Sequence, residues 1–308
     1  MKRFFYLQWL LLLPIGIMTM LFGIQRNSLG CTLWAVAGNS TMNGGTLIAK
    51  NRDGYPNQLQ WLKLARPRNQ LAYLGLYANN SGKSGVRAGV NECGLVIINA
   101  VASKMKLKKK PYTPHLIEKL LSRCTNIPDV LRHQGWFRGS RYLLLADTEK
   151  IALVEIGPNG LFTVKTTDNA SLYHTNHYIE PGMRFLNPNH INQSSRTRLD
   201  VIKKYLASQK KFSFGDFIKI SNSQENGSDN SLWRKGRTAA SVGTLATWIV
   251  WQPAFGKPAL YVRLAHPRQK VKEYYFDLNT VFNYRYFKSR NLVELASTNP
   301  NRDIDRYR

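Results

Sequence analysis

The order of elements expected from the sequence points to an α+β layered domain. Three observations carry this. Strand-length apolar runs come first, two helical segments follow between residues 114 and 133, and the chain then returns to strands joined by tight turns. A doubly wound sheet would instead alternate strand and helix throughout. No break in composition divides residues 31–308, so a single domain is expected there. A hydrophobic share of 43% supplies enough apolar material for a substantial core.

Residues 31–36, 46–50 and 94–99 read as strands rich in Leu, Ile, Val and Trp, with Gly44-Gly45 turning the chain between the first two. Lys104–Pro111 (KMKLKKKP) reads as a basic loop. From Pro114, the segment PHLIEKLLSRC places Leu116, Ile117, Leu120 and Leu121 on one helical face, and a second helix is expected from Ile127 to His133. Strands follow at 141–146, 151–156 and 161–165, with turns at Asp147–Lys150 and Gly157–Gly160. A further strand leads into Leu172-Tyr173-His174-Thr175-Asn176. Arg196–Ala207 is amphipathic, with Leu199, Ile202 and Leu206 apolar, and Ser221–Asn230 reads as a polar loop. Strands at 244–251, 260–265 and 273–277 close the domain, and a charged tail runs from Asn299.

The first 30 residues stand apart. Lys2 and Arg3 precede a mostly apolar run, Phe4 to Ile24, interrupted by Gln8 and Pro14, and a polar segment ends at Gly30. That is the pattern of a secretory signal, although the run also approaches the length of a membrane-spanning helix. Residues 1–30 are therefore expected to be a signal peptide or an N-terminal membrane anchor, and the protein to be periplasmic, secreted or membrane-anchored. Ser28 and Gly30 suit a small-x-small cut immediately before Cys31. Such a cut falls to a signal peptidase, the expected route, or to the chain itself through an N-to-S acyl shift.

Lys and Arg number 44 against 18 Asp and Glu, a formal charge of +26. Charge of this size concerns association and not fold. It suggests an anionic membrane surface or an acidic polymer as partner, or a solvated surface with no partner. No zinc-finger spacing, RNA-recognition aromatic motif or basic zipper is present, so no specific nucleic acid is expected. Of the three cysteines, Cys93 and Cys124 could pair or remain buried thiols, leaving Cys31 as the reactive one.

With the cut placed after Gly30, Cys31 carries its own free amine. The α-amine titrates near ~8 and a thiol near ~8.5, so the amine can take the thiol proton and return it to a leaving amine. A cysteine after a signal is also the mark of a lipoprotein, but Ser28 occupies the position where lipoprotein signals usually place an aliphatic residue. Downstream come Lys50-Asn51-Arg52-Asp53-Gly54, Gly89-Val90-Asn91-Glu92-Cys93-Gly94, His174-Thr175-Asn176-His177 and Ser194-Ser195-Arg196-Thr197-Arg198.

This ordered set, from Cys31 to about Asp277, resembles the N-terminal-nucleophile hydrolases. Within them it is most similar to the acyl-coenzyme A:6-aminopenicillanic acid acyltransferase and carcinine hydrolase group, related to the bile-salt hydrolases. The resemblance implies a four-layer αββα sandwich and an amide hydrolase or acyltransferase acting on a small molecule through an acyl-enzyme. It implies Cys31 as nucleophile, Asp53 holding the Cys31 amine, Asn176 donating to the oxyanion and Arg198 setting the local charge. Lys50, Asn51, Asn99 and Thr175 are the supporting or substrate-binding candidates. No cofactor or metal is implied. Read without the family, Asp53 also fits a turn, Asn176 a turn cap and Arg198 a solvated helix arginine, while Asn91-Glu92 reads as a structural turn.

The H-x-x-H of His174 and His177 lacks companions for a metal site, and Gly82-Lys83-Ser84 lacks the first glycine of a phosphate-binding loop. A dipeptidase of a related branch and a lipid-anchored envelope protein are the competing functions. Acyl group, amine and oligomeric state are not legible.

Overall fold

A computed structural model describes residues 30–80, 83–102, 112–266 and 269–283. Residues 1–29 of the expected signal segment, the Lys104–Pro111 loop and the tail from Asn299 lie outside the described residues. No described helix is long and apolar enough to cross a membrane.

The strands in chain order are β1 (Cys31–Ala37), β2 (Thr46–Gly54), β3 (Gln60–Ala65), β4 (Tyr73–Asn80), β5 (Lys83–Asn91), β6 (Val96–Val101), β7 (Arg141–Ala146), β8 (Ile151–Ile156), β9 (Phe162–Thr167), β10 (Ser171–His174), β11 (Gly243–Gln252), β12 (Ala259–Leu264) and β13 (Lys272–Asp277). The helices are α1 (Leu116–Leu121), α2 (Ile127–Arg132), α3 (Gln193–Ala207), α4 (Phe214–Ser221), α5 (Gly227–Asn230) and α6 (Leu278–Asn283). Two antiparallel sheets result, ordered β10-β1-β2-β11-β12-β13 and β3-β4-β5-β6-β7-β8-β9.

Side-chain alternation along the strands generates the layers. Cys31, Leu33, Ala35 and Ile48 enter the core between the sheets, where they meet Leu74, Val90, Ile98 and Leu144 of the second sheet. The intervening Trp34, Val36, Leu47 and Ala49 pack outward against Ile202 and Leu206 of α3 and Phe214 and Phe217 of α4. On the far side, Ile97, Leu143 and Val154 pack against Leu116, Leu120 and Leu121 of α1 and Val130 of α2. The order helix, sheet, sheet, helix is the expected αββα sandwich. Strands buried on both faces explain why β1 and β2 read as near-continuous apolar runs.

Gly44 and Gly45 have φ of 65° and 72°, and a Cβ on Gly45 would lie 2.1 Å from Gln252 O, so this turn admits no side chain. Asn91 is structural, as the sequence suggested. Its Nδ2 donates to Leu121 O and Cys124 O at 2.8 and 2.7 Å, and its Oδ1 accepts from Cys93 N and Leu95 N at 3.1 and 2.9 Å. One side chain thus joins the end of α1 to the β5–β6 turn. All three cysteines are free, Cys93 exposed and Cys124 buried.

Strands β3, β4 and β5 and helix α4 were not expected from the sequence. The segments YLGLYANN and KSGVRAGVN carry Gly, Asn and Ser between their apolar residues, which hides a strand pattern from composition. Helix α4 starts at a capping box: Ser213 Oγ accepts from Asp216 N at 3.1 Å and Asp216 Oδ2 accepts from Ser213 N at 2.8 Å. The polar stretch read as a loop contains α5.

Candidate active site

Cys31 is the first residue of β1 and lies directly opposite Arg52 of β2. Its side chain is 8% exposed and faces a cavity of about 60 Å³ lined also by Gly30, Lys50, Arg52, Asp53, Asn99 and Asn176. Three distant segments converge there: the end of β2, the turn after β10 and the start of α3.

The main chain of Cys31 is held at both ends. Its N–H donates to Asn176 Oδ1 at 2.9 Å, and its carbonyl accepts from Arg198 Nη1 at 2.7 Å. Arg198 also donates to Thr32 Oγ1 at 2.8 Å, to Asn176 Oδ1 at 3.1 Å and to Ser194 Oγ at 3.3 Å. This guanidinium is 1% exposed and is therefore no solvated helix arginine. Burial lowers its pKa to about 10, against the opposing pull of Asp53.

Asp53 is engaged by Arg234, which follows α5, and by Thr244 of β11. Its Oδ2 pairs with Arg234 Nη1 at 3.1 Å, its Oδ1 accepts from Thr244 Oγ1 at 2.8 Å, and its main-chain N–H donates to Gly30 O at 3.0 Å. In this chain, with Gly30 still attached, the acceptor on the Cys31 nitrogen is Asn176 and not Asp53. The Asp53 carboxylate nevertheless borders the same peptide: a Cβ on Gly30 would lie 3.0 Å from Asp53 Oδ2. The amide of Asn176 donates to Val101 O at 2.9 Å.

Lys50 extends from β2 into the space between the sheets. Its Nζ donates to Arg87 O and Asn99 O, both at 2.6 Å, and to Asn99 Oδ1 at 3.0 Å. Burial drives its pKa down to about 7, partly offset by the neighbouring Cys31. Arg52 is lowered to about 10, again first by burial, while its guanidinium donates to Gln58 Oε1 at 2.7 Å and Gln60 Oε1 at 3.2 Å.

Two expected supporting residues do not reach the cavity. Asn51 lies on the outer face of β2, with Nδ2 donating at 2.8 Å to both Ser221 O and Leu232 O and Oδ1 accepting from Thr247 Oγ1 at 2.7 Å. It ties the sheet to the helical layer. Thr175 Oγ1 donates to Ser195 O at 3.0 Å, while Ser195 Oγ accepts from Asn176 N at 3.0 Å and meets His177 Nδ1 at 2.8 Å. This network fixes the turn that presents Asn176. His177 is lowered to about 4, by burial first and by His174 next, so it is neutral near pH 7. His174 pairs with Glu155 Oε1 at 2.7 Å, both fully buried, so the H-x-x-H histidines serve packing and the turn.

Arg87 and Arg234 were missed by sequence reading. Arg87 sits on the unrecognised β5. Arg234 follows α5 in a stretch without periodicity, and only the acid it meets, 181 residues away, gives it meaning.

Several solved structures follow a similar chain path. A mutant of conjugated bile acid hydrolase from Clostridium perfringens is 14% identical, with a TM-score of 0.49 over 81% of this chain and 93% of that one. Penicillin V acylase from Agrobacterium tumefaciens is 13% identical, with a TM-score of 0.45 over 81% and 86%. The Caenorhabditis elegans ortholog of N-acylethanolamine-hydrolyzing acid amidase is 12% identical, with a TM-score of 0.46 over 70% and 91%. At these identities none of the three names transfers to this chain. No curated protein matches it. The family model of acyl-coenzyme A:6-aminopenicillanic acid acyl-transferase matches residues 40–269, beginning just beyond Cys31 and spanning well over half of the sequence. The chain belongs to that family.

Proposed function

We propose that this family member is an exported N-terminal-cysteine enzyme that cleaves or transfers the acyl group of a linear, non-peptide amide through a thioester on Cys31. The observation that carries the reading is the setting of Cys31. It opens a strand, is fixed by Asn176 on its nitrogen and Arg198 on its carbonyl, and faces a cavity edged by cations.

Loss of Gly30 would free the Cys31 amine beside Asn176 Oδ1 and the Asp53 carboxylate, two acceptors suited to an ammonium. The amine takes the thiol proton, and the thiolate sulfur adds to the amide carbonyl. The oxyanion that forms needs a donor, a role we assign to the Asn176 amide. Collapse breaks the C–N bond, and the ammonium of Cys31 returns the proton to the departing amine. Water or an acceptor amine then takes the acyl group from sulfur. Arg52, and Lys50 in its protonated form below about pH 7, favour the thiolate by placing positive charge beside it. A Cys31 only 8% exposed inside the domain leaves no room for a diacylglyceryl group, which disfavours the lipoprotein alternative.

Intact-mass analysis of the mature N-terminus, followed by a panel of N-acyl amides and dipeptides, tests this. We expect a free Cys31 terminus and an acyl adduct from the N-acyl amides. An unprocessed terminus in an active preparation, or full activity in Cys31→Ala, would end the proposal.

A further inference from the structure

A second cavity, of about 210 Å³, adjoins that of Cys31, and Arg87 and Asn99 line both. Its remaining wall includes Tyr112, His115, Glu118 and, at the start of β7, Arg141. Among the described residues neither Arg87 nor Arg141 forms an ion pair. Their hydrogen-bond partners are neutral carbonyls: Ala78 O at 3.4 Å for Arg87, Gly139 O at 3.1 Å and Arg138 O at 3.5 Å for Arg141. The nearby carboxylate is already engaged, since Glu118 Oε1 accepts from Val86 N at 3.0 Å and meets His115 Nδ1 at 3.1 Å.

Burial burdens both guanidinium groups, and Glu118 offsets part of that burden in each. Burial lowers the pKa of both, and Arg87 lowers that of Arg141 further. One carboxylate, Glu118, faces two half-buried guanidinium groups, so the wall favours an incoming anion, and arginine binds carboxylate through paired N–H donors. Two guanidinium groups set against Glu118 leave one net positive charge on this wall. That suits a singly charged carboxylate better than a doubly charged phosphate.

We propose that Arg87 and Arg141 form the subsite for a carboxylate carried at one end of the amide substrate, and that they set the preference for anionic over neutral amides. The inference rests on the reading of Cys31 as the nucleophile, because Arg87 and Asn99 border both cavities.

The test measures calorimetric binding to the full chain carrying Cys31→Ala, so no turnover is needed. The probes are N-hexanoylglycine, with its carboxylate on the amine side, N-hexylsuccinamate, with its carboxylate on the acyl side, and the neutral carboxamide of each. One carboxylate probe should bind at least about tenfold more tightly than its neutral counterpart, and which one does so assigns the side. Adding Arg87→Gln and Arg141→Gln should remove the difference, and Arg87→Lys with Arg141→Lys should restore part of it. Equal affinity for charged and neutral probes, or binding of neither, overturns the proposal without reliance on any arginine variant. Failure of the nucleophile reading shows separately, as amide cleavage by the Cys31→Ala protein.

Discussion

Lys50 offers a measurement whose sign and size follow from its burial. Its side chain is 1% exposed, and its pKa falls from an ordinary 10.5 to about 7. At about 1.4 kcal/mol per pH unit, enclosing the charged form costs about 5 kcal/mol. Below about pH 7 both folded and unfolded states hold the proton, and the whole cost is present. Between about 7 and 10.5 the unfolded chain binds a proton that the folded one has released, so stability rises with pH through that window. Integrated from pH 7 to pH 9, the gain is about 2 kcal/mol. Cys31 opposes the shift, so both proteins compared should carry Cys31→Ala, which removes the thiol and pushes Lys50 lower still. Urea denaturation of Cys31→Ala, and of the same protein with Lys50→Met added, isolates the lysine. The difference in unfolding free energy should move in favour of the lysine protein by about 2 kcal/mol between pH 7 and pH 9. A difference constant to within about 0.5 kcal/mol would show that the lysine is not titrating in that window and refute the argument.

Other outcomes can be checked more simply. Asn176→Ala should lower kcat and kcat/KM together, by about 10²–10³-fold, with KM little changed, and Asn176→Asp should be at least as damaging; a KM effect alone would make Asn176 a binding residue. Gly30→Ala separates the two routes of maturation followed by intact mass: a signal peptidase accepts the small Ala and the rate should hold, whereas self-cleavage by the folded chain would slow by about tenfold or more, because the Cβ would lie 2.6 Å from Arg198 Nη2; a slowed release would overturn the peptidase route. With a formal charge of +26, the protein should adsorb to anionic vesicles and leave them as salt rises, and equal binding to neutral vesicles would remove that partner.

Much of the site was legible because its parts are constrained in type. Cys31 follows a small residue at the end of the signal-like segment, and Asp53, Asn176 and Arg198 stand in short polar motifs whose order along the chain matches the resemblance. The structure places all four together across the sandwich. Asn51 misled because it is adjacent to two cavity residues, yet strand alternation sends it to the opposite face. Arg87 and Arg234 were illegible for the opposite reason. Their roles come from long-range neighbours, and neither lies in a segment with a recognisable period. Strands β4 and β5 escaped notice because Gly and Asn interrupt their alternation, although pairing in a seven-stranded sheet overrides weak local preference.

Strand β1 pairs with β10, Leu33 opposite His174, and β2 pairs with β11, Asp53 opposite Thr244. The sheet that frames Cys31 therefore cannot close until about four fifths of the chain has been synthesised. Such distant pairings form late and slowly. A nascent chain has neither the Asn176 nor the Arg198 clamp on its cysteine. Both clamps on Cys31 are thus products of tertiary closure, since their donors and acceptors dock on β1 from segments 145 and 167 residues away.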